Sequence, residues 1–105
     1  MLIKAGVDIS RLNRDIRKAL TVVANIYFLK GSELVVTSTY DGNHMPGSLH
    51  YSNDAFDIRL IPDVNQSDIV NRIKTSLGIN YDVILESDHI HIEYDPDTVN
   101  VSGHK

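Results

Sequence analysis

The chain has 105 residues, 42% of them hydrophobic and 23% charged, which is the composition of one soluble globular domain with its own core. A net charge of -4 and the absence of any Lys/Arg run argue against nucleic-acid binding. Apolar runs such as residues 21–29 are too short to cross a bilayer, and the lack of cysteine leaves His and carboxylates as the strong metal ligands.

The first predicted elements are a helix, a strand and a loop. The helix begins after Asp8 or Ser10 and continues to about Lys30, because apolar residues recur at helical spacing. Residues 33–39 are rich in β-branched residues and predict a strand, and the Asp, Gly, Asn and Pro of residues 40–47 predict a loop. The apolar stripe of the helix is Leu12, Ile16, Ala19, Leu20, Val23 and Tyr27.

The rest of the chain continues the alternation of strands and helices. We expect a strand over 55–61, a helix after Asn65 or Ser67, and two strands over 81–85 and 89–94 that form a hairpin. Gly78 ends the second helix, and residues 97–105 form a loosely held tail. The order of elements predicts a single α+β domain over residues 1–105, with a small antiparallel sheet and two helices.

Two of the predicted strands share a pattern of apolar and polar residues. Asp57 lies between Phe56 and Ile58, and His91 lies between Ile90 and Ile92. Successive side chains of a strand point to opposite faces, so both strands have one apolar and one polar face. If the apolar faces point inward, Asp57 meets His91 on the outer face. That face can be a metal site, a catalytic site or a solvated surface, and its polar residues are Asp57, Arg59, His89, His91 and Glu93.

His50 does not follow this alternation. It precedes Asp57 by an odd number of residues, so the two side chains would point apart on one continuous strand. The Ser-Asn-Asp sequence of residues 52–54 favours a turn that lets His50 approach Asp57 from the side. With His91, these residues make two imidazoles and one carboxylate, which leaves the fourth position of a tetrahedral zinc site open for catalysis.

Two segments resemble the motifs of a known peptidase family. Residues 48–57, SLHYSNDAFD, resemble the Ser-x-His-x-x-Gly-x-Ala-x-Asp signature of the zinc D-Ala-D-Ala carboxypeptidases and dipeptidases. This group includes the L-alanyl-D-glutamate endolysins of phages and is related to the Hedgehog signalling domain. Residues 88–93, DHIHIE, resemble the second motif, Asp/Glu-x-x-His. The resemblance extends from about residue 35 to residue 94 and implies a Hedgehog/D-Ala-D-Ala-peptidase-like fold.

The resemblance implies a role for each matching residue. It implies Zn²⁺ as the cofactor, with His50, Asp57 and His91 as its ligands. It also implies Asp88 as the catalytic acid/base, with Glu86 as the alternative. Two departures from the family's pattern concern the surroundings of this set. Asn53 stands where the family has Gly, and residues 37–40 lack the Arg that many members use to stabilise the oxyanion. The outer face adds His89 as an oxyanion donor and Glu93 as a neighbouring or surface acid, and the candidate substrate contacts are His44, Ser48 and Arg59.

The function implied by the resemblance is hydrolysis of peptide bonds in peptidoglycan stem peptides, of the carboxypeptidase or endolysin type. The first six residues lack signal-peptide features, so we expect cytoplasmic synthesis, with release to the cell wall by a separate factor or carriage in a virion. We expect a monomer that binds neither nucleic acid nor membrane. Two alternatives remain: a zinc-binding Hedgehog-like module without turnover, and a structural protein whose histidines are incidental, as His104 in the tail is expected to be.

Overall fold

The computed structural model describes residues 1–39 and 53–96, and this part of the chain forms five strands and two helices. In chain order the elements are β1 (Leu2–Ile3), α1 (Arg14–Leu29), β2 (Val35–Ser38), β3 (Ala55–Arg59), α2 (Gln66–Leu77), β4 (Tyr81–Leu85) and β5 (His89–Tyr94). The predicted α+β class and the two helices are therefore confirmed.

The strands form one sheet in the order β1-β2-β3-β5-β4. Strands β2 to β5 pair antiparallel, but β1 pairs parallel to β2, so the prediction of an antiparallel sheet is wrong at this edge. The backbone amides of Leu2 and Lys4 donate to the carbonyls of Leu34 and Val36 at 2.7 and 2.9 Å. A strand of two residues is too short to show an alternating pattern, which is why the sequence did not predict it.

Helix α1 begins later than predicted. Asp8 does not cap it, because its carboxylate accepts a hydrogen bond from the amide of Ser10 at 2.8 Å and closes a separate turn. The N-cap is Asn13, and the helix ends at Leu29, close to the predicted end. Five of the six residues of the predicted apolar stripe lie on the helix and are buried in the core, whereas Leu12 is buried but precedes the helix.

In the second half of the chain, α2, β4 and β5 agree closely with the predictions from the local sequence. The side chain of Asn65 accepts a hydrogen bond from the amide of Asp68 at 3.2 Å and caps α2, as predicted. Gly78 ends the helix with a positive φ of 91°. The hairpin of β4 and β5 is confirmed with its predicted bounds, and the amide of Glu86 donates to the carbonyl of His89 at 2.9 Å across its turn.

Both helices pack against the same face of the sheet. Phe56, Ile58, Ile90 and Ile92 point to this face and join the helix stripes in one core, each with no exposed surface. The phenol of Tyr27 donates to the carbonyl of Arg59 at 2.6 Å and ties α1 to the end of β3, and burial raises the pKa of that phenol. Strand β3 ends there, two residues earlier than predicted. In the described ranges, no helix is long and apolar enough to span a membrane.

Candidate metal centre

The register of β3 and β5 brings Asp57 and His91 together. They are direct partners in the antiparallel pair, and both side chains lie on the face opposite to the helices. The distance between Asp57 Oδ1 and His91 Nδ1 is 2.8 Å, and the two side chains are only 13% and 16% exposed. The contact expected from the alternation of the two strands is therefore confirmed.

The second nitrogen of His91 has its own acidic partner. His91 Nε2 lies 2.6 Å from Oε1 of Glu93, which is two residues further on the same face of β5. Burial by itself lowers the pKa of His91, but the hydrogen bonds and charges of Asp57 and Glu93 prevail and raise it to about 9. In the metal-free chain His91 is thus an imidazolium held between two carboxylates at neutral pH.

The outer face extends this contact towards the hairpin turn. His89 Nε2 lies 3.7 Å from Asp57 Oδ2, and His89 Nδ1 lies 2.7 Å from Asp88 Oδ1. Acids and imidazoles therefore alternate in one row: Asp88, His89, Asp57, His91 and Glu93. Arg59 is the cross-strand partner of His89, so it lies at the turn end of the same face, where it is exposed.

The two candidates for the acid/base both lie by the hairpin turn, but their contacts differ. Asp88 lies in the bend, as predicted, and its side chain is 84% exposed while it contacts His89. Glu86 is also exposed, at the first residue after β4. Asp88 is thus linked to Asp57 through one imidazole. This geometry favours Asp88, although the catalytic role of either residue stays a prediction.

Asn53, which stands where the resembled motif has Gly, lies in the turn before β3. Asn53 has a positive φ of 63°, which Asn tolerates better than most residues. Its carbonyl accepts from the amide of Asn13 at 2.9 Å, and the side-chain amide of Asn13 donates to Asp54 at 2.7 Å. The start of α1 therefore fixes the chain just before the strand that carries Asp57. The remaining predicted site residues, His44, Ser48 and His50, and the predicted tail lie outside the described residues.

Beyond His91 the outer face ends in a cluster of carboxylates that the sequence did not predict. Asp82 is the cross-strand partner of Glu93, and the oxygens of Asp82, Glu93 and Asp95 lie within 4.8 Å of one another. Burial, followed by the charges of Glu93 and Asp95, raises the pKa of Asp82. Such a spacing can hold a cation, but exposed acids often cluster without one. The turn of the hairpin is centred between residues 87 and 88, so Asp82 pairs with Glu93. Placing the turn there from the sequence would have predicted this pair.

The donor atoms of the predicted zinc site fit zinc in their chemistry. Imidazole nitrogen and carboxylate oxygen are among the ligands that zinc prefers, and Asp57 and His91 present one of each on the same face. The cluster of Asp82, Glu93 and Asp95 offers only oxygen, a set better suited to hard cations such as calcium or magnesium. The Asp57–His91 pair is therefore the better zinc candidate of the two.

Comparison of the sequence with known protein families gave no match, and comparison with curated proteins gave none either. The proposed relationship to the zinc peptidases rests on the two motifs and on the spatial arrangement of their residues.

Proposed function

We propose that this chain is a zinc-dependent peptidase with a Hedgehog/D-Ala-D-Ala-peptidase-like fold, acting on the stem peptides of bacterial peptidoglycan. The observation that carries the proposal is the 2.8 Å contact between Asp57 and His91. These residues come from the two segments that resemble the family's motifs, and they lie 34 positions apart in the chain. Two polar residues with no shared role would not need to lie in direct contact.

The proposed zinc ligands are Asp57, His91 and His50. Zinc, when bound, supplies a water whose pKa is lowered to roughly 7 and a positive charge that polarises the scissile carbonyl. Asp88 takes a proton from the attacking water and transfers it to the leaving nitrogen as the carbon–nitrogen bond breaks. Its exposure suits this task, because a proton carrier must reach both the water and the substrate.

His89 and Arg59 are the proposed contacts for the substrate. His89 lies between Asp88 and Asp57, where an imidazole can donate a hydrogen bond to the developing oxyanion. Arg59 is exposed beside it, and its planar guanidinium can bind a carboxylate of the stem peptide through two hydrogen bonds. An open sheet face with these groups is suited to a short peptide that has a carboxylate.

The first experiment measures metal content. Purified protein should contain close to one zinc per chain, and His50→Ala or His91→Ala should remove most of it. His104→Ala is the matched control, because it removes an imidazole that the sequence assigns no role. Circular dichroism checks that the fold persists, since the core is built by apolar residues on the opposite face. Full zinc occupancy in both ligand variants would contradict the assignment.

The second experiment separates a peptidase from a zinc-binding module. Wild type is incubated with purified peptidoglycan and with three peptides of equal length: an Ala-D-Glu stem, a D-Ala-D-Ala stem and an all-L sequence. The new termini identify the bond. We expect cleavage of a stem peptide, no cleavage by Asp88→Ala with its zinc retained, and a smaller loss in Glu86→Ala. Zinc binding with no turnover would favour the Hedgehog-like alternative, and preference for the all-L peptide would contradict the cell-wall substrate.

A further inference from the structure

The contacts of His91 distinguish its two ring nitrogens. Nδ1 faces Asp57 Oδ1 at 2.8 Å, and Nε2 faces Glu93 Oε1 at 2.6 Å on the other side of the ring. If His91 and Asp57 bind one zinc ion, as the proposed function requires, the coordinating atom is the nitrogen on the side of Asp57. That atom is Nδ1.

The other nitrogen must then hold the hydrogen. A neutral imidazole carries one hydrogen on its two nitrogens, and a coordinating nitrogen carries none. With Nδ1 on the metal, the hydrogen is on Nε2 and is donated to the carboxylate of Glu93. A hydrogen bond of this kind between an imidazole and an ionised acid is short and strong, in keeping with the 2.6 Å distance.

Glu93 is well placed to hold the ring. Its side chain is 18% exposed, and it lies on the same face of the same strand as His91, so no loop movement separates the two. Its strand is paired on both sides, with β3 and with β4. The backbone that carries the carboxylate is therefore as rigid as the backbone that carries the imidazole.

We propose that Glu93 is a positioning residue for the metal centre, one that fixes the Nε2–H tautomer of His91 and directs Nδ1 towards Asp57. This inference rests on the zinc site of the proposed function but not on hydrolysis. Partners of metal-bound histidines typically change metal affinity by about 10- to 100-fold when they are removed. We assign this effect on zinc affinity to Glu93, which contacts His91 and does not itself bind the metal.

The test measures zinc affinity by competition with a chelator of known affinity. Glu93→Ala should weaken zinc binding by about 10- to 100-fold. Glu93→Gln should recover part of this loss, because its amide oxygen still accepts from Nε2–H. Asp95→Asn is the matched control: it removes one negative charge from the same carboxylate cluster, and we expect a change of at most about fivefold.

Nitrogen NMR of the imidazole gives a readout that a general loss of stability does not change. In the zinc-bound wild type, the His91 signals should show a metal-bound Nδ1 and a protonated Nε2 whose hydrogen exchanges slowly. In Glu93→Ala that hydrogen should exchange faster while Nδ1 still binds zinc, and Glu93→Gln should be intermediate.

Two results would overturn the inference: equal zinc affinities for Glu93→Ala and Asp95→Asn, or coordination through Nε2 in the wild type. Wild type that binds no zinc would overturn both the inference and the metal site. Wild type that binds zinc with the expected effect of Glu93→Ala, yet cleaves no stem peptide, would contradict the hydrolase and leave the role of Glu93 standing.

Discussion

The two faces of the sheet are built from the same strands but obey different constraints. On the inner face, Phe56, Ile58, Ile90 and Ile92 pack without exposed surface against both helices. On the outer face the residues between them are acids and imidazoles that bind one another in a row. The inner face holds the strands in register, and that register brings the acids and imidazoles of the outer face into contact. Along each strand, the residues that build the core therefore alternate with the residues of the candidate site.

The largest expected effect comes from making the same substitution on the two faces. Ile90 has no exposed surface, whereas Ile84 is 44% exposed on the outer face, where it pairs with His91. Ile90→Ala should lower the free energy of unfolding by about 2–5 kcal/mol, because it removes buried methylenes and leaves a cavity. Ile84→Ala should cost less than about 1 kcal/mol, because much of that side chain is already in water. Urea denaturation of the metal-free proteins measures both, and similar losses would mean that the outer face is part of the core.

The pH dependence of stability should come largely from His91 in the metal-free chain. Its pKa is raised to about 9 in the folded state, against an ordinary value of 6.5. The folded state therefore binds the extra proton more tightly, so the stabilisation is fully present below pH 6.5 and is lost as the pH rises through 9. Its size is on the order of 3 kcal/mol.

Urea denaturation from pH 6 to pH 10, with a chelator present, measures this loss in the wild type. His91→Gln should flatten the profile, because the amide does not titrate. A variant whose stability falls as steeply as that of the wild type would show that another group is responsible.

The smallest expected effect is a gain in stability from a substitution on the outer face. Burial and the charges of Glu93 and Asp95 raise the pKa of Asp82, so its ionised form opposes folding at neutral pH. Asp82→Asn should therefore stabilise the protein by about 0.2–1 kcal/mol at pH 7, the usual range for a cross-strand pair. The gain should shrink as the pH falls and the wild-type carboxyl takes up a proton. A loss of stability at pH 7 would show that Asp82 contributes a favourable contact that outweighs the repulsion.

The elements that the sequence predicted well are those with strong local signals. Helix α2 has a capping Asn65 and a terminal Gly78, and the β4–β5 hairpin has a short polar turn between two clear strands. Strand β1 was missed because its pairing depends on a distant partner, β2, and not on its own two residues. Helix α1 was predicted to start too early because Asp8 can cap a helix or close a turn, and local sequence does not decide between them.

For the candidate site, alternation predicted that Asp57 and His91 share the polar face, because a side-chain period of two leaves only one face for each residue. Their direct contact also required β3 and β5 to pair in this register, which alternation alone does not determine. The direct contact of Glu93 with His91 Nε2 was not predicted, since it depends on side-chain rotation and not on strand direction. The position of Asp82 beside Glu93 was not predicted, because it follows from the register in which β4 pairs with β5. The bounds of the predicted strands do not determine that register. The roles of all these residues remain predictions.

The separation of Asp57 and His91 along the chain has a consequence for when the proposed metal centre can form. The two residues are 34 positions apart, and α2 and β4 lie between them. Closing a loop of this length costs about 3 kcal/mol in chain entropy, and the packed inner face and the β3–β5 pairing help to offset that cost. The pair is therefore a non-local contact, and a growing chain cannot form it until β5 has been synthesised and has docked beside β3. Zinc binding at the proposed site would therefore require the assembled sheet.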